Sequence, residues 1–238
     1  LDVAVPSSVA LAVARHLRRA GQWDLALSVV PADAAHLRAE ILVDRYLWQL
    51  RGCAEAEAAI DAAAHVGYAS LAALLRGQLG YWKLLFPADA APATAEPAPD
   101  PAADLARAAQ DPRLYGWAMF WLGVLADNIE GDRENAAERY ARAHAVARAE
   151  NDRLLASYTA RHQGAHLLQD RDREAGIALL RRSLYLRASI GALPQVAAAE
   201  QTLAGELAEG PEREALLEAA LATARELRLT WLQRALSA

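Results

Sequence analysis

Residues 158–183, YTARHQGAHLLQDRDREAGIALLRRS, repeat the plan of residues 117–143, WAMFWLGVLADNIEGDRENAAERYARA, closely enough to decide the fold. Each stretch begins with a helix-forming run that carries a glycine late in its course, Gly164 in one and Gly123 in the other. Each then passes through the same charged triplet, Asp172-Arg173-Glu174 or Asp132-Arg133-Glu134. Each ends in a second run with small, large and small residues at fixed offsets: Gly176, Leu180 and Ser183 against Ala136, Tyr140 and Ala143. The first runs are 41 residues apart and the second runs 40, so the connecting turn absorbs one residue. Two runs of helical length joined by a short turn read as a pair of antiparallel helices. Glycine inside a helix costs about 1 kcal/mol against alanine, and close approach of neighbouring helix axes is the usual compensation.

Weaker copies stand at AGQWDLALSVV, residues 20–30, and at GCAEAEAAIDAAAHVG, residues 52–67, where Ala56, Ile60 and Ala63 take the same offsets. In the last hairpin the offsets fall at Arg213, Leu217 and Ala220, 37 residues after Gly176, so the triplet Glu212-Arg213-Glu214 is only partly in register. What recurs is a charged helix start, with acids near the positive end of the dipole. The triplets are caps and solvated turns and do no chemistry.

Helix punctuation runs the length of the chain. Gly21, Gly52, Gly67, Gly131, Gly191 and Gly210 each follow a helical run, where a residue free to adopt positive φ closes a helix. Asp100-Pro101, Asp111-Pro112 and Gly210-Pro211 read as capping residues followed by proline in the first turn, and Asp132 and Asn151 as further N-caps. Between these marks lie about a dozen helices. Composition agrees: alanine alone fills 59 of the 238 positions, and the usual strand formers are sparse. The expected fold is all-α, a solenoid of five to six antiparallel helical hairpins. One segment breaks the pattern. PADAAPATAEPAPDP, residues 87–101, holds five of the ten prolines and should be extended. It divides residues 1–86 from 102–238, either as a long loop within one stack or as a hinge between two.

A net charge of −5 argues against a nucleic-acid partner, which needs a concentrated basic face. The cluster Arg15-His16-Leu17-Arg18-Arg19 reads as the cationic end of a solvated helix. No apolar run approaches the roughly 20 residues of a membrane span, and no stretch reads as a signal peptide. Cys53 is the single cysteine, so no internal disulfide can form and a cytoplasmic setting is expected. The chain opens on Leu1 rather than methionine, which fits a piece of a longer protein.

Catalytic and metal signals are weak. His162 and His166 lie four apart on one helix, a spacing that can serve a metal, but no acidic residue shares their face and only His144 offers help from a neighbouring helix. Packing or surface roles fit them better. Cys53 follows a turn glycine at a helix start, without an adjoining histidine. No phosphate loop, GxSxG elbow or carboxylate pair occurs. No catalytic residue, metal or cofactor is therefore expected. The aromatics are more telling: Tyr115, Trp117, Phe120 and Trp121 crowd one helix, with Trp117 and Trp121 on the same side. Such a helix is either buried between neighbours or lines a binding surface.

The hairpin unit, the small residue late in the first helix and the small-large-small second helix resemble the tetratricopeptide repeat family. The period is longer than the family's usual one, as in the extended repeats of bacterial transcriptional regulators. The resemblance covers about two-thirds of the chain; Met119 and Ala160 replace the aromatic early in the first helix, and the proline segment belongs to no repeat. It implies that first helices line a concave groove. Carried over, it places Trp117, Phe120, Asp127 and Asn128 on that surface from one helix, and Tyr158, Arg161, Leu168 and Gln169 from the next. Rigid aromatics, an arginine and amides make a binding hot spot. The implied function is non-enzymatic binding of a peptide or protein, as the sensor or scaffold part of a bacterial regulator. Arg161 is the lone basic residue there, which disfavours a clamp for acidic chaperone tails. The alternative is a small-molecule sensor in which the aromatics and Arg161 close into a pocket. Oligomeric state is not legible.

Overall fold

The computed structural model describes residues 7–87 and 100–237. Among them are thirteen α-helices and no strand. In chain order these are α1 Ser7–Arg19, α2 Trp23–Val29, α3 Ala35–Gln49, α4 Cys53–His65, α5 Ala69–Leu85, α6 Pro101–Ala108 and α7 Tyr115–Leu125. They continue with α8 Arg133–Ala149, α9 Arg153–Gln169, α10 Arg173–Ser189, α11 Leu193–Glu206, α12 Pro211–Glu226 and α13 Thr230–Ser237. From α1 to α12 each odd-numbered helix packs most heavily on the even-numbered helix that follows it, so the chain is built of adjacent pairs. Most of the proline segment, residues 88–99, lies outside the described residues. Its flanks meet: α6 packs on α5, where Gly80 faces Pro101.

The small-large-small positions are the buried ones. Ala136, Tyr140 and Ala143 are fully buried on α8, Gly176, Leu180 and Ser183 are buried on α10, and Ala56, Ile60 and Ala63 are buried on α4. Glycine lets the axes close in. A Cβ at Gly164 would stand 3.0 Å from the carbonyl oxygen of Gly176 and 3.1 Å from Cβ of Leu179.

The turns explain the recurring triplets. Gly131, Asn151 and Arg171 take left-handed backbone, with φ of 70°, 55° and 66°. An aspartate follows each: Asp132, Asp152 and Asp172 accept from the backbone N–H of Asn135, Leu155 and Ala175 at 3.1, 2.9 and 3.3 Å. The N–H groups of Asp152 and Asp172 also reach back five residues, to the carbonyls of Ala147 and Leu167, and so close the preceding helices. At Asp132 the reach is six residues, to Ala126, because Ala126–Glu130 form a π turn at the end of α7. The extra residue of the first repeat thus sits within the helix end, not in the connecting turn. Two sequence readings shift as well. Asn151 holds the left-handed position while Asp152 is the cap, and Asp111-Pro112 forms a turn, with Asp111 accepting from the Arg113 N–H at 3.0 Å, so that α7 starts only at Tyr115.

The last helix does not extend the row. α13 packs on both α12 and α3. Thr230 Oγ1 donates to the carbonyl of Gln49, and Gln49 Nε2 donates to the carbonyl of Leu227, each at 2.8 Å. The ring of Trp231 stacks on Trp48 at 5.4 Å between centroids and lies 5.8 Å from Trp82. Gly21, in the turn between α1 and α2, sits so close to Leu227 and Pro194 that a Cβ would come within 2.8 and 2.9 Å of their side chains. The two ends of the described chain therefore meet, and the row of pairs closes on itself.

Close axial approach is testable. Gly164→Ala is expected to lose roughly 1–3 kcal/mol in urea denaturation, because a backbone carbonyl cannot step aside. Gly205→Ala, with nothing within 4 Å, is expected to be neutral or to gain up to about 1 kcal/mol. Equal stability of the two variants would show that α9 and α10 are not held at contact by these glycines.

Candidate functional site

A cavity of about 560 Å³ lies between the odd-numbered helices. Its walls include Arg18 from α1, Asp44 and Trp48 from α3, Leu75 and Gln78 from α5, Trp117 and Trp121 from α7, Tyr158 from α9 and Gln195 from α11. Trp117 and Trp121 share a face because they are one helical turn apart. Arg18 donates to Asp44 at 2.6 Å and to Glu40 at 2.7 Å. Trp117 Nε1 donates to Asp152 Oδ2 at 3.0 Å, while Oδ1 of Asp152 caps α9. Two polar atoms of wall residues remain unmatched, both shut away beneath the wall surface and not facing the cavity. Trp121 is 6 % exposed and Gln195 9 %, and neither Trp121 Nε1 nor Gln195 Oε1 has a hydrogen-bond partner. Leaving such an atom buried and unpaired costs about 1–3 kcal/mol.

Behind the wall lies a buried cation. Arg187 is 2 % exposed, donates Nη1–H to the carbonyl of Gln195 at 2.8 Å and Nε–H to Ser157 Oγ at 3.3 Å, and holds its guanidinium 4.9 Å from the centre of the Tyr158 ring. Burial pushes its pKa down to about 10. No carboxylate comes within salt-bridge distance of it among the described residues. The Tyr158 phenol is pushed up by burial against the pull of Arg187 and the Gln195 amide.

A second polar cluster is complete in itself. Arg161 Nη1 donates to His162 Nε2 at 3.2 Å, which leaves Nδ1 to carry the proton toward the Tyr140 hydroxyl at 3.0 Å. Tyr140 donates to Asp127 Oδ2 at 3.1 Å, and His166 Nε2 reaches the same carboxylate at 3.0 Å. His162, His166 and the Tyr140 hydroxyl hold Asp127 well below the usual carboxylate range, while burial, with Asp127 beside it, raises Tyr140. Burial pushes His162 down to about 4, so it is neutral at pH 7. The acid that the two histidines lacked in the sequence comes from the π turn of the neighbouring pair. His144 is elsewhere, against Thr159 Oγ1 at 3.0 Å, and among the described residues no group of three or more His, Cys, Asp or Glu could hold a metal ion. Cys53 is buried at the start of α4.

Of the residues expected to share one surface, Trp117, Trp121 and Tyr158 do line the cavity. Phe120 does not. It is 1 % exposed and packs among Trp117, Trp121, Tyr140, Tyr158 and His162, because its position three residues after Trp117 turns it toward α8 and α9. Asp127 and Arg161 belong to the second cluster. Asn128 is exposed and donates to the Tyr81 hydroxyl at 2.8 Å, Leu168 packs against Gly176, and Gln169 is exposed at the far end of α9. Arg18, Gln195 and Arg187 were not anticipated. Arg187 had a signal: it stands 40 residues after the buried Ala147, so a charge occupies a position that the repeat reserves for a small apolar residue.

Compared with protein-family models, curated proteins and solved structures, the chain matches none of them.

The second cluster sets an acid limit on stability. His162 binds a proton near its ordinary 6.5 when unfolded and only near 4 when folded. Its contribution is therefore complete above pH 6.5 and is lost as pH falls from 6.5 toward 4, by at most about 3 kcal/mol. Urea denaturation at pH 7.5 and pH 4.5 should show this loss in the native chain and a shallower one in His162→Gln. Equal slopes would mean that His162 is not buried in its neutral form.

Proposed function

We propose that the chain is a non-enzymatic sensing domain of tetratricopeptide-like helical hairpins, and that it binds a small molecule in the central cavity. The observation that carries this reading is a space of about 560 Å³ in which Trp48, Trp117, Trp121 and Tyr158 meet Arg18, Gln78 and Gln195. That volume is within the range of roughly 300–1,000 Å³ typical of small-molecule sites. The wall is more polar than is usual for such sites, with charged and amide side chains among the aromatic ones. A peptide partner laid along a concave groove has less support. Asn128 and Gln169 lie outside the cavity lining, and Arg161 is already engaged by His162. A sensory role resembles that of extended helical repeats in bacterial regulators.

Gln195→Leu tests the reading. It replaces a polar wall side chain with an apolar one of similar size while the backbone carbonyl that serves Arg187 is kept. Stability of the free protein is expected to change by less than about 1 kcal/mol, and retention of a co-purified small molecule, read by native mass spectrometry, is expected to fall about tenfold. A large loss of stability with retention unchanged would make the amide a structural group. Mass spectra that show a bound peptide instead of a small molecule would favour the groove.

A further inference from the structure

The reading of the cavity as a small-molecule site also constrains its ligand, through the state of each charged group on the wall. Every carboxylate there is engaged: Glu40 and Asp44 by Arg18, and Asp152 by the Leu155 N–H and Trp117 Nε1. Several cations are not. Arg15, Arg19 and Arg153 also line the space, all three exposed, and none has a carboxylate within salt-bridge distance among the described residues. Arg153 makes only a long contact, 3.5 Å, to Ser189 Oγ.

Two further features carry the same sign. Arg187 places an uncompensated positive charge directly behind the Tyr158 ring, where low dielectric extends its reach. α7 opens at Leu114, on the cavity wall, without a side-chain cap, so its positive end is unshielded. A cationic ligand would meet four arginines and no free carboxylate. The wall carries four arginines against three carboxylates, in a chain whose net charge is −5.

Resting on the cavity reading, we propose that the ligand is a small amphipathic anion, its flat or apolar body between Trp48, Trp117, Trp121 and Tyr158 and its acidic group toward Arg15, Arg19 and Arg153. The aromatic side chains supply apolar area, and the arginines supply planar donor forks suited to a carboxylate, sulfonate or phosphate.

Two fluorescent probes with the same ring system separate the parts of this proposal: anionic 8-anilinonaphthalene-1-sulfonate and neutral N-phenyl-1-naphthylamine. The native chain is expected to bind the sulfonate about tenfold more tightly than the amine, with an advantage that shrinks as salt is raised. The triple variant Arg15→Glu, Arg19→Glu, Arg153→Glu, altered only at exposed positions, is expected to lose that advantage and keep its affinity for the amine. Leu71→Trp, which fills the cavity, is expected to exclude both probes, and Gln78→Phe serves as an independent plug should the first variant not fold. Equal affinities in the native chain, or an advantage that survives charge reversal, would overturn the anionic ligand and leave the cavity reading standing. Failure of both probes to bind the native chain, or binding that neither plug reduces, would overturn the cavity reading and this inference with it.

Discussion

The seam between α13 and α3 is the constraint on which the rest depends. It joins residues 181 positions apart through Thr230 and Gln49, and it buries the facing surfaces of Trp48 and Trp231 against each other. Pairwise packing supplies most of the contacts, yet pairing alone does not bring the last helices against the first. That meeting rests on a short C-terminal helix, one carbonyl–hydroxyl contact, one amide and two indoles, and Trp48 carries it to the wall of the cavity.

Two polar systems inside the molecule differ in one respect that matters. The Asp127 cluster is continuous: hydrogen bonds run from Arg161 through His162 and Tyr140 to Asp127 and His166, no buried side-chain nitrogen or oxygen among them is left unmatched, and Tyr140 is fully buried in its middle. Networks of that kind rigidify and specify packing. The cavity wall instead carries charge: four arginines stand among three carboxylates, with Arg187 behind the Tyr158 ring.

The pairing of helices was legible in the sequence because it is written in local chemistry. A charged helix start recurs at residues 132–134 and 172–174, and glycine marks the points of closest approach, although at residues 151–152 the cap is one residue later than Asn151. The buried face of each second helix was legible for the same reason: Ala136, Tyr140 and Ala143 are spaced by the helical period. What one helix alone cannot show is the direction of its aromatic cluster. Phe120 and Trp121 are neighbours in sequence, yet one enters the core and the other the cavity wall, a choice made by where α8 and α9 stand. Asp127 was placed on the groove because the repeat was assumed to keep register, and the π turn broke that register. Closure by α13 left no local mark at all, since its determinants are split between residues 48–49 and 227–231.

The seam also orders events in time. The adjacent pairs form from contacts close in sequence, whereas the seam must wait until both ends of the chain are in place, so it is the last surface to assemble and the first to part. α13 is short, and outside its contacts with α12 and α3 it has little to hold it. Transient separation there uncovers one face of Trp48 without disturbing the paired helices, and because Trp48 also lines the cavity, the state of the C-terminal helix and the shape of the cavity wall depend on one side chain.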